Sequence, residues 1–371
     1  MRVAIDSGPL SSGHAVRGVG VATKALIESL LKYNKNNNVK IEPLDFNTSD
    51  LSKFDLLHYT SFNPYFLNYP KIGSLKIKSV LTVHDLIPLI YKKQYASGIK
   101  GYIKFLENRY LISKVDRIIT VSETSKKDIV RLLKVDEKRI SVIYWAPGQK
   151  FKRVIDKEKL LKVKNNYRLP NRFVLYVGDV NYNKNLSTLV EACSKVNIKL
   201  VVVGKQADNI NQLIENYKGL EGPKDMLRFL LGKSHPELSH FNKLSSLLSS
   251  SNVFLTGYVK DEDLAAIYTL ASVYCQPSYY EGFGIPVLEA FACETPVVIA
   301  KTQALVEVAD NAALTADPYS QKDMADKVNT LLNDTTKRLH FIREGAKRVK
   351  DFSWEITANK TIEVYEKLLK Y

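Results

Sequence analysis

The segment Ser278 to Val298, SYYEGFGIPVLEAFACETPVV, joins a glycine-spaced turn to an apolar helix. Pro286 predicts where that helix starts, because proline is favoured at the first helical position, where its missing N–H has no partner to lose. The backbone amides of Gly284 to Val287 are then expected to point into the turn, an arrangement that binds phosphate. Glu289 is expected in the first helical turn, where the helix dipole favours a negative group. The segment is therefore typical of an α/β protein and predicts an anion site.

The turn alone leaves two interpretations open: an ordinary α/β connection, or a sugar-nucleotide site in which amides bind phosphate and the carboxylates of Glu281 and Glu289 bind hydroxyls. The wider pattern has two glutamates with seven residues between them, including Gly-Phe-Gly and Pro, and Thr-Pro-Val-Val follows. It resembles the signature of the retaining GT-B glycosyltransferases, the group 1 family. The resemblance implies that Glu281 is catalytic, beside the transferred sugar, and that Glu289 binds the nucleotide ribose. It also implies donor contacts from Gly282, Phe283, Gly284 and Ile285.

Length and cysteine usage narrow the class of protein. A chain of 371 residues is expected to form two domains. It has no run of 18 apolar residues, so no membrane-spanning helix is expected, and Asp6 comes before any signal-like apolar region. Cys193, Cys275 and Cys293 lie in apolar segments without metal-ligand spacing. We therefore expect reduced, buried thiols in a cytoplasmic protein.

The net charge of +15 predicts an acidic partner. Nucleic acid, anionic lipid headgroups and phosphorylated substrates would each satisfy it. The sequence contains no helix-turn-helix, zinc-finger or RNA-binding pattern, so nucleic acid is not expected. Lysines are spread over the chain, and part of the excess charge can serve solubility alone.

Strand-like runs alternate with helical runs along the chain, which predicts parallel, doubly wound sheets with the ligand at the carboxyl ends of the strands. Together with the resemblance, this predicts an α/β protein of two facing Rossmann-like domains, with a C-terminal helix that crosses back to the first domain. The expected boundaries are residues 1–150 for an acceptor-side domain, 151–170 for a linker, 171–352 for the nucleotide-sugar-binding domain and 353–371 for the crossing helix.

Two segments of the first predicted domain add candidate residues. Gly18 and Gly20 open a helix, but Thr23 stands where a dinucleotide-binding motif has its third glycine, so that motif is rejected. The resemblance implies instead that the two glycines face the donor diphosphate, where Arg17 could add charge. His84 ends a predicted strand, where a lone histidine is usually structural. The resemblance implies a catalytic position close to the sugar.

The run GDVNYNKNLSTLVEA, residues 178–192, resembles the phosphate clamp of the same family. Lys184 takes the lysine position, where an ammonium would neutralise the departing diphosphate. Asp179 departs from the family pattern, because an arginine is often found there. Either Asp179 turns away from the diphosphate or another cation replaces the arginine. The segment from about residue 205 to 251 is longer than the family usually has, and it could cover an acceptor site or form an oligomer contact.

A basic and aromatic segment lies between Ile90 and Lys114. Its cations include Lys92, Lys93, Lys100 and Lys104, and tyrosines and a phenylalanine are interleaved with them. A helix of this composition can lie on an anionic bilayer surface. The alternative is a solvated face opposite ordinary core aromatics. The resemblance supports the membrane interpretation, because many members of the family use lipid-linked acceptors.

The acids Asp261, Glu262 and Asp263 precede an apolar helix, and capping and first-turn charge explain them, so no metal site is expected. The overall prediction is a retaining, metal-independent glycosyltransferase without a cofactor. It moves a sugar from a nucleotide diphosphate sugar to a hydroxyl of a saccharide or lipid-linked acceptor, in the cytoplasm, with the inner face of the membrane as a candidate location. The rivals are a retaining glycosidase, a sugar-nucleotide epimerase on the same fold, and a basic module that binds lipid or nucleic acid.

Overall fold

The computed structural model describes residues 1–11, 18–35, 38–66, 77–95, 97–218 and 236–369. The chain divides into two compact units. The first unit contains Met1–Lys92, Ser97–Ala146 and Phe352–Tyr371, and the second contains Lys93–Ala96 and Pro147–Asp351. Residues 151–170, the predicted linker, belong to the second unit and include a helix.

The first unit is organised around a parallel sheet that has six strands in the described residues, in the order β2-β1-β3-β4-β5-β6. Inner strands of such a sheet are covered on both faces, as in the fully buried β3, whereas the edge strand β2 is largely exposed or half-buried. The strands are β1 (Arg2–Asp6), β2 (Lys40–Leu44), β3 (Leu56–Tyr59), β4 (Lys78–Val83), β5 (Arg117–Thr120) and β6 (Ile140–Val142). The helices before its last segment are α1 (Gly8–Ser11), α2 (Gly18–Tyr33), α3 (Ile87–Ile90), α4 (Gly98–Ile112) and α5 (Glu123–Asp128).

The second unit repeats this architecture with the strand order β12-β11-β10-β7-β8-β9 in its described part, again with parallel pairing throughout. The strands are β7 (Phe173–Val177), β8 (Lys199–Val203), β9 (Val253–Gly257), β10 (Val273–Gln276), β11 (Val297–Ala300) and β12 (Leu314–Ala316). The helices are α6 (Lys157–Asn166), α7 (Leu186–Val196), α8 (Lys205–Asp208), α9 (Ile210–Lys218), α10 (Pro236–Leu248), α11 (Asp261–Leu270), α12 (Ile285–Ala292), α13 (Gln303–Ala309), α14 (Gln321–Asn333) and α15 (Thr335–Arg348). The predicted pair of Rossmann-like α/β domains is confirmed.

The helix α16 (Trp354–Leu369) is part of the first unit although it follows the second unit in the chain. Its Tyr365 is fully buried, and the hydroxyl lies 2.5 Å from Nδ1 of His58 on β3. The other ring nitrogen of His58, Nε2, lies 2.7 Å from the hydroxyl of Thr82 on β4. Burial lowers the pKa of His58 to about 3, because the charged ring would lose its hydration. Neutral His58 therefore links α16 to two strands of the sheet.

Candidate active site

The candidate site lies at the carboxyl edge of the second sheet, where β7 and β10 are neighbours. The strand order reverses between these two strands. From this point β7, β8 and β9 follow one another toward one edge of the sheet, and β10, β11 and β12 follow one another toward the other edge. Ligands of open α/β sheets bind in the crevice outside the carboxyl strand ends at such a reversal. Two loops lie at this edge: residues 178–185 after β7 and residues 277–284 after β10.

Two buried asparagines join these loops. The side chain of Asn183 donates from Nδ2 to the backbone carbonyl of Tyr280 at 3.1 Å. The backbone carbonyl of Asn183 accepts from the backbone amide of Tyr279 at 2.8 Å. Asn185 donates to the carbonyl of Pro277 at 2.9 Å. Asn185 has φ 53°, a left-handed conformation in which asparagine is enriched. The loops are thus held in one arrangement by amide hydrogen bonds, and not only by chain connectivity.

Glu281 and Lys184 form an ion pair where the two loops meet. Lys184 Nζ lies 2.9 Å from each carboxylate oxygen of Glu281. Oε1 of Glu281 also accepts from Nε2 of Gln276 at 2.9 Å and from the hydroxyl of Ser278 at 2.7 Å. The glutamate side chain is only 9% exposed, so it relies on these donors instead of water. Two predicted site residues, one from each motif, are therefore in direct contact.

The glycine turn precedes α12 in a conformation that requires glycine. Gly284 has φ +121°, and a Cβ atom there would lie 2.8 Å from Cδ2 of Leu305. The predicted row of amides needs correction, since Pro286 has no N–H and the amide of Val287 donates to the carbonyl of Gly284 at 3.0 Å. The amides of Gly284 and Ile285 make no hydrogen bond within the residues that the structure describes. The anion-binding part of this turn is accordingly shorter than predicted.

Glu289 lies in the second turn of α12 and not in the first, because the helix begins at Ile285. The predicted first-turn position of Glu289 is therefore wrong. Its Oε2 accepts from the hydroxyl of Tyr268 on α11 at 2.9 Å. Desolvation raises the pKa of Glu289 to about 7, which the hydrogen bond from Tyr268 partly opposes. The two glutamates of the motif thus have different surroundings: Glu281 has a cation, whereas Glu289 has a tyrosine hydroxyl.

Asp179 is bound through its backbone and not through its side chain. Its carbonyl accepts from the hydroxyl of the buried Tyr176 at 2.5 Å. In the described part of the chain its carboxylate makes no hydrogen bond or ion pair.

His84 lies at the carboxyl end of β4 in the first unit. Nε2 donates to the carbonyl of Thr60 at 3.0 Å, which fixes the proton on Nε2, and the ring contacts Trp145 at 4.7 Å between centroids. Desolvation lowers the pKa of His84 to about 4, opposed in part by the hydrogen bond to Thr60. Among the described residues its Nδ1 is buried and has no hydrogen-bond partner. At neutral pH, His84 is thus a neutral ring that can accept a hydrogen bond at Nδ1.

The remaining predicted residues lie elsewhere. The helix α2 begins at Gly18, so Gly18 and Gly20 form part of its first turn, and Arg17 lies outside the described residues. Lys92 and Lys93 are exposed, and Lys104 pairs with Glu107 at 2.8 Å. Gly282 and Phe283 are buried in the turn, and Ile285 is half-buried.

Four buried polar residues that were not predicted from the sequence support the two glutamates. They are Tyr268, Tyr274, Gln276 and Ser278. The only sequence signal for the last two is a polar pair ending an apolar strand just before Glu281. The described residues contain no cluster of three or more metal-ligating side chains, and no described helix is long and apolar enough to cross a membrane.

Comparisons with known proteins show what the chain is similar to. WbdA of Escherichia coli, a serotype-specific mannosyltransferase, is 28% identical over 301 residues, which are 79% of this chain and 34% of WbdA. The chain thus spans about a third of that relative's length. The O-antigen chain mannosyltransferase B of Escherichia coli is 28% identical over 294 residues, 78% of this chain and 71% of the relative. The structure of HepE from Anabaena, in complex with UDP and glucose, shares the fold with TM-score 0.70 at 16% identity, over 99% of this chain and 100% of that one.

Two family models match the chain, one in each unit. Residues 40–146 match the Glycosyltransferase Family 4 model. Residues 157–348, just over half of the chain, match the model of glycosyl transferases group 1, and they contain Lys184, Glu281 and Glu289. The chain belongs to the glycosyl transferases group 1 family.

Proposed function

We propose that this protein transfers a hexose, with mannose as the first candidate, from a nucleotide diphosphate sugar to a hydroxyl of a saccharide or lipid-linked saccharide, with retention of configuration. The observation that carries the proposal is the Lys184–Glu281 pair at the reversal of strand order. When the bond from the anomeric carbon to the diphosphate breaks, its electrons leave with the diphosphate, and a positive charge develops on the sugar. An ammonium beside a carboxylate can stabilise both charges.

The comparisons support the choice of substrates. The two Escherichia coli relatives are named mannosyltransferases, which supports mannose, and HepE was crystallised with UDP and glucose, which supports a nucleotide sugar donor. Retention is proposed from the resemblance of the Glu281–Glu289 motif. In the reaction the acceptor oxygen bonds to the anomeric carbon, and the hydroxyl proton balances a charge on the released nucleoside diphosphate.

The proposal is tested by incubating the protein with GDP-mannose, UDP-glucose and other sugar nucleotides, with and without saccharide acceptors. We expect release of nucleoside diphosphate that depends on one donor and increases with acceptor. Proton NMR of the product gives its anomeric configuration. Release of free sugar from an oligosaccharide without any nucleotide would favour the glycosidase, and epimerisation of the sugar nucleotide without an acceptor would favour the epimerase.

Glu289 should make donor binding depend on pH. A carboxylate accepts hydrogen bonds from ribose hydroxyls better than its protonated form, so binding should lower the raised pKa of about 7 and release a proton. Donor affinity should therefore weaken as the pH falls from 8 to 6. Glu289→Gln should lose about 1–3 kcal/mol of binding energy at pH 8 and lose the pH dependence. Calorimetry in buffers of different ionisation enthalpy measures the donor affinity and the number of protons released. An unchanged donor affinity of Glu289→Gln at pH 8 would contradict the ribose role.

Transfer should continue without a divalent cation. Lys184 and the turn amides offer positive groups for the diphosphate, and the described residues hold no metal-ligand cluster. The rate in EDTA should equal the rate with added magnesium within a factor of about two. Loss of activity in EDTA that manganese or magnesium restores would refute metal independence.

A membrane-bound acceptor is supported by the exposed face of α4. Five apolar side chains at helical spacing form this α4 stripe: Ile99, Tyr102, Ile103, Leu106 and Tyr110, which are 46–70% exposed. The buried face of the helix carries Asn108 and Ile112 on the opposite side. Large exposed apolar patches mark interaction sites, and Lys100 and Arg109 beside the stripe would complement anionic headgroups. We therefore propose that α4 contacts the acceptor's membrane, at its inner, cytoplasmic face.

Ile103→Asn should reduce sedimentation with vesicles of anionic phospholipid, because it removes an apolar side chain from the α4 stripe. Substituting Lys92, Lys93, Lys100 and Lys104 by glutamine should also weaken sedimentation, since each lysine near such a surface contributes about 1 kcal/mol. The matched control is Leu161→Asn, because Leu161 is 59% exposed on the lysine-rich α6. Equal binding by Ile103→Asn and Leu161→Asn would leave the stripe without a membrane role.

A further inference from the structure

A chain of buried polar side chains leads from the interior of the second unit to Glu281. The hydroxyl of Tyr274 is hydrogen-bonded to Oε1 of Gln276. Nε2 of Gln276 donates to the hydroxyl of Ser278 at 2.8 Å and to Oε1 of Glu281 at 2.9 Å, and Ser278 donates to the same oxygen at 2.7 Å. Tyr274 and Ser278 are fully buried, and Gln276 is 2% exposed. Because these three side chains are shielded from water, hydration does not explain why they are polar.

The donors and acceptors in this network can be arranged in only one way. A carboxylate accepts hydrogen bonds and cannot donate, so the NH₂ group of Gln276 must face Glu281. Its oxygen then faces Tyr274, whose hydroxyl donates to it. A flipped amide would set an oxygen against the Glu281 carboxylate and an NH₂ against the tyrosine hydroxyl. Glu281 therefore sets which way the amide of Gln276 points, and the Tyr274 hydroxyl stabilises that orientation by donating to the amide oxygen.

The two oxygens of Glu281 are consequently not equivalent. Oε1 accepts from Gln276, Ser278 and Lys184, whereas Oε2 accepts only from Lys184 among the described residues. A carboxylate oxygen with three donors has no capacity for a further hydroxyl, and one with a single donor still has it.

We propose that Tyr274, Gln276 and Ser278 are positioning residues that hold Oε1 of Glu281 and leave Oε2 to accept a hydroxyl of the transferred sugar. This inference rests on the proposed transferase function and adds the atom that meets the substrate. The contact is made by the sugar and not by the nucleotide, so these residues affect the transfer step more than the binding of the donor.

Gln276→Leu, which is close to isosteric, tests the inference. With the unmodified donor, the kcat of Gln276→Leu should be at least tenfold below that of the wild type, while its KM for the donor changes less than threefold. Tyr274→Phe should lower kcat by a smaller factor, and the double variant should be no slower than Gln276→Leu, because both act through one amide. The matched control is Tyr365→Phe, which also removes a hydroxyl from a fully buried tyrosine and should leave kcat unchanged.

Monodeoxy donors identify the hydroxyl that meets Oε2. With the donor that lacks it, wild type and Gln276→Leu should have equal kcat, because the positioned oxygen has nothing to bind. Unchanged kcat in a folded Gln276→Leu protein, or an equal penalty on every deoxy donor, would overturn the inference.

If the wild type transfers no sugar, the proposed function fails, and a crystal structure of Gln276→Leu decides the positioning separately. A displaced Glu281 carboxylate supports it, and an unmoved one overturns it.

Discussion

Replacing Glu281 with glutamine should lower kcat by about 10²–10³-fold, the range measured when one electrostatic group is removed from an active site. The amide carries no charge to stabilise the sugar cation. Its NH₂ group must also face either the Lys184 ammonium or the donors Gln276 and Ser278, so the hydrogen bonds cannot all be kept. Nucleoside diphosphate release with saturating donor and acceptor measures the effect.

Glu344→Gln is the control for this variant. Glu344 lies on α15 and pairs with Lys347 at 2.7 Å on the surface, so its loss removes the same charge from the same unit without touching the site. Its kcat should match the wild type. If Glu281→Gln keeps more than half of the wild-type kcat while binding the donor normally, Glu281 has no catalytic role.

His58 should make the first unit sensitive to acid. Its folded pKa of about 3 lies below the ordinary value of 6.5, so the unfolded chain binds the proton first as the pH falls. The stability that neutral His58 provides is complete above pH 6.5 and is lost progressively as the pH falls toward 3. The shift corresponds to about 3–5 kcal/mol. His84, with a pKa of about 4, adds loss in the same direction.

The measurement compares urea unfolding of wild type and His58→Gln from pH 7 to pH 4. Glutamine does not titrate in this range, so the free-energy difference between the two proteins should shrink as the pH falls. His340→Gln serves as the control, because His340 is exposed on α15. A difference that stays constant across this range would mean that unfolding does not change the number of protons bound to His58. That result would contradict a lowered pKa in the folded protein.

The residues that carry charge in the candidate site were predictable, because glycine turns, proline and paired glutamates leave a pattern in sequence. Glu281 and Lys184 were each assigned from a motif, and the structure brings them within 2.9 Å. The alternation of strands and helices similarly predicted both sheets. These signals are local, and a single segment contains each of them.

The contacts that were missed depend on pairs of distant residues. Tyr268 reaches Glu289 from a different helix, and Asn183 reaches Tyr280 from a different loop, so no local spacing indicates either. The position of Glu289 in α12 was wrong because Pro286 occupies the second helical residue and not the first. On α4, composition gave the correct residue types but could not indicate that apolar side chains such as Tyr102 and Ile103 face outward.

The place of α16 in the first unit has a consequence for protein synthesis. Translation proceeds at about 5–20 residues per second, so about 10–45 s pass between the synthesis of Ala146 and that of Leu369. Throughout that interval β3 and β4 lack Tyr365 as a partner, and the apolar side chains that α16 covers remain open to molecular chaperones. The described strands of the second unit end at Ala316, so all of them have been synthesised before α16 begins at Trp354. We therefore expect the later-made unit to complete its folding first, the reverse of the usual N-terminal order.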